Sequence, residues 1–507
     1  LGIYKMKKLL CLLFLSAVFF VGCSSKEVIR LPVTTSSPDA LKYYKKADRL
    51  LGLNIGEGPE IRHFLDSALV MDPDFAMALE MYPTSDQLLA REYEEKAKKL
   101  SGEITEAERK ILFIRESYRN GNMDAALDGA MWLVENHGDS YESYLWLGLV
   151  QSDRRELDEG IASLKKSLEI NPNSYKANYL LMGHHIGLGG QSMLPEEKRD
   201  VALGMKYGDE LIRIRPEEGL SYHFKANIYR QLGQFEKAKP LYEKSIEKRS
   251  GRTSEGTAYN VSAHNYMFAG EMETAREKYN KSIELATTDW SWFQREYYLT
   301  VSYIFENDYM GAIDNINKVE KNIAKRNLAN FTTLEMKSWL SLQKLICYAH
   351  NQMEEEAYEA LKSKISFDKK YADLLNDKNV TRATESGEFQ ETAWVNILFG
   401  KYDQARKNLA NLKKMQEKLS DPTAMYAYYS LSGMINLMEG NIEEAVSDFE
   451  LGDVTDIYYN YFRGLALKAG GKETEANKVF SQIAKVNFSN WDIAIVRNLA
   501  KKQLGQT

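Results

Sequence analysis

Seven histidines are the first place to look for chemistry in this 507-residue chain: His63, His137, His184, His185, His223, His264 and His350. A helix offers two imidazoles to one ion when they stand four residues apart, and no pair here does. His184 and His185 are neighbours, about 100° apart around a helix, and are unsuited to sharing an ion. Motifs for nucleophiles and phosphates are equally sparse. No GxSxG elbow occurs, and Gly400-Lys401 and Gly471-Lys472 are followed by Tyr and Glu, where a phosphate loop needs Ser or Thr. Two SxxK matches, Ser163 to Lys166 and Ser245 to Lys248, lack the SDN and KTG partners of acyl-transfer enzymes. With 72 acidic residues, carboxylate pairs are too common to single any out. The residues give no positive sign of an enzyme, a metal site or a cofactor.

The thiols point elsewhere. Cys347 lies in the apolar run LICYA and reads as a small buried hydrophobe, and no disulfide framework is possible around it. Cys23 ends a different pattern. Lys7 and Lys8 precede an apolar run from Leu9 to Gly22, too short to span a bilayer but suited to a signal h-region. Met6 is a more natural start than Leu1. Phe20-Val21-Gly22-Cys23 resembles the lipobox of bacterial lipoproteins, with Phe20 departing from the usual aliphatic residue. The resemblance implies a signal peptide over 1–22, a lipid on Cys23 and a membrane-anchored body. Ser24 after the cysteine implies outer-membrane sorting. Residues 23–37, rich in Ser and Thr, are expected to form a flexible tether. Cleavage before Cys23 would remove three lysines and no acid, leaving 63 basic against 72 acidic residues, a net of −9. That balance disfavours nucleic acid.

The elements that must carry these residues are helices at a fixed period. In residues 141–174, Tyr144, Leu147, Gly148, Leu157, Gly160, Leu164 and Pro172 occupy places 4, 7, 8, 17, 20, 24 and 32. Places 4, 7, 8 and 11 share one face of a first helix, and 20, 24 and 27 one face of a second. Small residues at 8 and 20 let the two backbones approach, and a Gly, Asn or Asp near place 15 breaks the chain between them. The same register recurs at 219–252, 256–289, 386–419, 426–459 and from Ile457, and more weakly at 107–140, 293–326 and 338–371. This spacing resembles the tetratricopeptide repeat (TPR) family. It implies an all-α fold: a superhelical solenoid of ten or eleven antiparallel helix pairs, with a last helix from about Ser489 as a cap. The expected organisation is N-terminal TPR-like helices over 38–106, an array over 107–362, an irregular insertion over 363–387 and a C-terminal array over 388–507. An extra charged helix falls within Pro83 to Ser101, and a second insertion within Gly187 to Glu197.

In TPR proteins the first helices line a concave groove, with places 2, 5, 9, 12 and 13 pointing inward. Carried onto this chain, those places hold Arg115, Tyr118 and Arg119, then His223, Asn227 and Arg230. Further along they hold Asn260 and His264, then Tyr297 and Trp394. Side chains of these types suit peptide recognition. A carboxylate clamp for chaperone tails is not expected, because Val261, Gln294 and Tyr298 stand where it needs Asn and basic groups. The runs Tyr428-Tyr429 and Tyr458-Tyr459-Asn460-Tyr461-Phe462 read first as packing, and second as a carbohydrate platform. The expected function is a lipid-anchored envelope scaffold binding protein or peptide partners in its groove. It resembles the TPR lipoproteins that support outer-membrane assembly. The rivals are a glycan-binding lipoprotein of the SusD-like type, disfavoured by the uniform period, and a regulatory module of an envelope enzyme.

Overall fold

The computed structural model describes residues 28–51, 59–84, 86–186, 194–419 and 423–506. Cys23, the leader before it and residues 187–193 of the second insertion lie outside the described residues.

Each repeat forms for the reasons its spacing gives. In residues 141–174 the Ser140 hydroxyl accepts from the Glu142 amide at 3.3 Å and caps the first helix. Gly148 and Gly160 then bring the two backbones together: a Cβ on Gly148 would stand 3.0 Å from the Gly160 carbonyl oxygen, and one on Gly160 3.1 Å from that of Gly148. Between the helices Arg155 turns left-handed at φ 69°, and the Glu156 amide donates back to the Gln151 carbonyl at 2.9 Å. That bond closes a Schellman motif. The left-handed residue recurs at place 15 as Gly121, Gly233, Gly270, Asn307, Gln352, Gly400, Gly440 and Gly471, with the same backbone closure each time.

In chain order the helices begin with α1 (Pro38–Leu51) and α2 (Pro59–Met71), which pair. The short α3 (Ala76–Glu80) and the charged α4 (Gln87–Lys99) follow. Pairing resumes with α5 (Glu106–Arg119) and α6 (Met123–Asn136), α7 (Tyr141–Asp153) and α8 (Leu157–Ile170), and α9 (Tyr175–Ile186) and α10 (Val201–Ile214). Next come α11 (Gly219–Gln231) and α12 (Phe235–Arg249), α13 (Glu255–Ala269) and α14 (Met272–Glu284), and α15 (Asp289–Phe305) and α16 (Tyr309–Ile323). The array ends with α17 (Asn330–His350) and α18 (Glu354–Leu375), α19 (Lys378–Leu398) and α20 (Tyr402–Gln416), α21 (Tyr426–Glu439) and α22 (Ile442–Leu451), and α23 (Ile457–Ala469) and α24 (Glu473–Ala484). A single helix, α25 (Trp491–Gln503), follows. No strand occurs among the described residues, so the all-α solenoid stands as the sequence implies.

Three expectations need correction. Residues 363–387 are not an irregular insertion: α18 and α19 run through them with a two-residue break. Asn376 is left-handed at φ 49°, and Asp377 caps α19 by accepting from the Asn379 and Val380 amides. The polar composition there is the solvent face of long helices. The core divides elsewhere, with one cluster from Leu31 to Ile228, another from Ala263 to Ala500, and a small one of Ala226, Ala238 and Tyr242 between them. Residues 30–37 are not a free tether either, as the site geometry below describes.

The third correction concerns the groove. The solenoid turns back on itself twice. Arg49 at the end of α1 pairs with Glu217 at 3.1 Å, and the Arg215 guanidinium donates to the Arg49 carbonyl at 3.3 Å, which closes the N-terminal turn. In the C-terminal turn α25 packs on α15 and α23 as well as on α24. Arg91 of α4 bridges the two turns, reaching Asp377 at 3.2 Å and the Leu375 carbonyl.

Candidate functional site

The inner face of the N-terminal turn holds an extended piece of its own chain. The Glu142 carboxylate accepts from the Leu31 amide at 2.7 Å and pairs with Arg30, which also meets Asp48 at 2.8 Å. The Glu108 carboxylate accepts from the Thr34 amide and hydroxyl, both at 2.6 Å. Asp72 accepts from the Ser36 amide at 2.8 Å and from the Thr35 hydroxyl. Leu31 is buried in the core. Burial alone would push the Asp72 carboxyl up, but the Thr35 and Ser36 hydrogen bonds outweigh it and hold it below its usual range. Three carboxylates on successive repeats thus satisfy backbone donors that an isolated Ser/Thr-rich segment would leave to water.

Arg115, Tyr118 and Arg119 lie together on α5. Arg115 and Arg119 both reach the buried Glu80 carboxylate, at 2.8 and 2.7 Å, and Arg119 also reaches Glu94 at 3.4 Å. The Tyr118 hydroxyl donates to Asp153 at 2.9 Å. Their side chains keep partial exposure, so this trio is reachable from outside.

The next five groove residues form a different environment. His223, Arg230, Asn260 and His264 are buried, at 8, 3, 6 and 6 % exposure, and Asn227 accepts from the Tyr242 hydroxyl at 2.7 Å. Burial, followed by the charges of Arg249 and Arg230, pushes the His223 imidazole well below its ordinary range; burial, then Arg230, does the same to His264. His264 is held between Tyr279, at 2.6 Å from Nδ1, and Asn260, at 3.3 Å from Nε2. The cover is the chain between α24 and α25. The Asn487 amide group donates to the Arg230 and Gln231 carbonyls at 3.0 and 3.3 Å. Tyr297 bonds Asn490 and accepts from the Trp491 amide at 3.2 Å. Arg497 lies over Phe268 and Phe305 and donates to Asn487 at 2.7 Å. His223 and His264 lean on Tyr242 and Tyr279 of their own second helices, and what lies over this stretch is the protein's own C-terminal segment.

Trp394 stands apart, across the C-terminal turn. Its indole Nε1 donates to the Tyr458 hydroxyl at 3.2 Å, and that hydroxyl stands 3.3 Å from His350 Nε2. The chain is satisfied throughout when Tyr458 donates to a neutral imidazole. Burial pushes His350 down to about 4, consistent with that state. Cys347, one turn earlier on α17, is buried as expected, and burial pushes its thiol up to about 12.

Two segments of the chain match the tetratricopeptide repeat. The family model matches residues 141–174 and 220–247, which are α7–α8 and most of α11–α12. No curated protein matches the chain. Among solved structures, a tetratricopeptide repeat protein from Parabacteroides merdae is 14% identical over 52% of this chain and 93% of its own, with a TM-score of 0.36. MamA from Desulfovibrio magneticus is 16% identical over 35% of this chain and 94% of its own, with a TM-score of 0.28. The repeats account for which side chains face inward. They do not account for Asp72, which follows α2, or for Asn487, Asn490 and Trp491. Glu142 and Glu108 both fall at place 2, an inward place from which the sequence offered no candidate above.

Proposed function

We propose that this protein is an envelope scaffold, anchored by a lipid on Cys23, that binds protein or peptide partners through its repeats. The observation that carries the reading is the grip on residues 30–37: inward carboxylates on successive repeats take main-chain amides of an extended segment, a recognition mode that asks little of the segment's sequence. The partner surface is the exposed side of Arg115, Tyr118 and Arg119 on the same turn. The seven steps from Cys23 to Arg30 extend at most about 25 Å, so a lipid on Cys23 would hold the N-terminal turn close to the bilayer. No helix among the described residues is long and apolar enough to cross a membrane.

In-cell crosslinking with mass spectrometry, comparing wild type with a Tyr118→Ala, Arg119→Ala variant, tests the scaffold. A specific protein captured by wild type and lost from the variant supports it and places the site on α5. Capture of no specific protein by either chain overturns it and returns a glycan ligand to first place. The anchor has its own test. Cys23→Ala should shift the protein from the membrane to the soluble fraction, and an unchanged distribution would remove the lipid from the account.

A further inference from the structure

The interior of the C-terminal turn contains a cavity of about 230 Å³ beside Trp394, formed where α17, α19, α23 and α25 converge. Two features of its wall point to one ligand chemistry. The first is aromatic. Trp394, Tyr458 and Trp491 stand with ring centroids 5.5 to 6.5 Å apart, and Tyr459 lines the same space. The hydrogen-bonded chain from Trp394 through Tyr458 to His350 fixes two of these rings. The second feature is charge. Glu391 of α19, Asp456 at the N-cap of α23 and Asp492 of α25 come from three helices to the same space. Lys364 neutralises Glu391 at 2.9 Å through Oε1, while Glu391 Oε2 is closed to solvent and has no hydrogen-bond partner. No Lys, Arg or His among the described residues lines the cavity beside Asp456 and Asp492. Half-buried carboxylates without a counter-charge are costly, and aromatic faces attract cations.

We propose that this cavity binds an organic ammonium group, with Asp456 and Asp492 as its counter-charge and the Trp394, Tyr458 and Trp491 rings around it. Leu342, Leu345 and Ile346 of α17 supply an apolar wall for the attached alkyl chain. At roughly 30 Å³ for each water-sized volume the space takes about seven or eight non-hydrogen atoms, the size of an alkylamine or the end of a lysine side chain. This site is independent of the surface on α5 and of any macromolecular partner there.

Titration of the full chain with butylammonium, followed by tryptophan fluorescence and calorimetry, tests the proposal. Butanol serves as the neutral control, and Nα-acetyl-lysine methylamide represents a partner's lysine. The ammonium probe should bind at least ~10-fold more tightly than butanol, the worth of a charged hydrogen bond. Asp456→Asn, Asp492→Asn should remove that preference. Asparagine can keep the cap bond from the Tyr459 amide at residue 456 and the bond from the Ile493 amide at residue 492, so the double variant should fold, and its circular dichroism melt checks this. Tighter binding of the lysine amide than of butylammonium would assign the cavity to a partner's side chain, with the ammonium chemistry intact. Equal binding of butanol and butylammonium, preferential binding of a neutral sugar, or no ammonium binding up to about 10 mM would overturn the proposal. So would a double variant that folds and retains the preference.

Discussion

At the scale of single residues, place 15 of each repeat sets the sharpest expectations. The turn there demands a left-handed backbone, which costs an L-residue roughly 1–2 kcal/mol. Most repeats meet it with glycine, but Arg155 at φ 69° and Gln352 at φ 59° do not. Arg155→Gly should therefore raise stability by about 0.5–1 kcal/mol, offset in part by the freer unfolded chain. Gly400→Ala should lower it by about 1 kcal/mol; urea denaturation reads both. Place 20 is less forgiving. A Cβ on Gly160 would meet Ser152 Oγ at 2.6 Å and the Gly148 carbonyl at 3.1 Å. Gly160→Ala should cost about 1–3 kcal/mol by overpacking, and an unchanged denaturation midpoint would show that the two helices can part without cost. These positions were legible in the sequence because each depends on a local requirement: a turn that only some residues tolerate, or a contact between two helices close along the chain.

At the scale of elements, legibility stopped where composition and environment disagree. Residues 30–37 have the Ser/Thr content of a linker, and only the positions of Glu142, Glu108 and Asp72 turn them into a bound segment. Residues 363–387 look irregular because α18 and α19 leave long polar faces to water. A testable consequence attaches to the first case. Arg30 is a tryptic site held by Glu142 and Asp48. Glu142→Ala should speed cleavage after Arg30 by at least ~10-fold, because it removes a charge-assisted pair and a backbone acceptor together. Equal digestion of variant and wild type would mean that Glu108 and Asp72 hold the segment without it. The groove residues teach the converse lesson. Register predicts that His223, Arg230, Asn260 and His264 line an open groove, yet nothing local to them says that residues 487–491 will arrive to cover this stretch. That contact spans more than 220 residues and depends on the summed rotation of every repeat between.

At the scale of the whole molecule the buried histidines dominate the response to acid. His223 and His264 lie well below their ordinary range and His350 at about 4, so all three are neutral in the fold. In the unfolded chain they take up protons as pH falls below about 6.5, whereas the native state does not. Each then removes about 1.4 kcal/mol of stability per pH unit until its folded value is reached. Asp492 acts in the opposite sense. Burial pushes it up to about 6, so the fold is penalised above that pH and relieved as pH drops toward 4. Asp153, Glu296, Glu391 and Asp456 are also raised by burial, but less far, so over this interval the three histidines prevail and the melting temperature should fall between pH 7 and 5.5. His350→Gln, which can still accept from Tyr458, should lose about 1 kcal/mol less over that interval. A parallel pH profile for variant and wild type would place the sensitivity elsewhere.

An open solenoid is a one-dimensional chain of neighbours, and it can fray from either end while the middle stays folded. The seating of α25 on α15 removes that freedom from the C-terminal turn. The last helix becomes a clasp, and the repeats between α15 and α24 cannot separate one by one while it holds. Pulled between its ends, such a molecule should resist as a single unit, release α25 in one step at high force, and only then lengthen repeat by repeat like a spring. A coil clasped in this way keeps its length until the load exceeds the grip of one short helix.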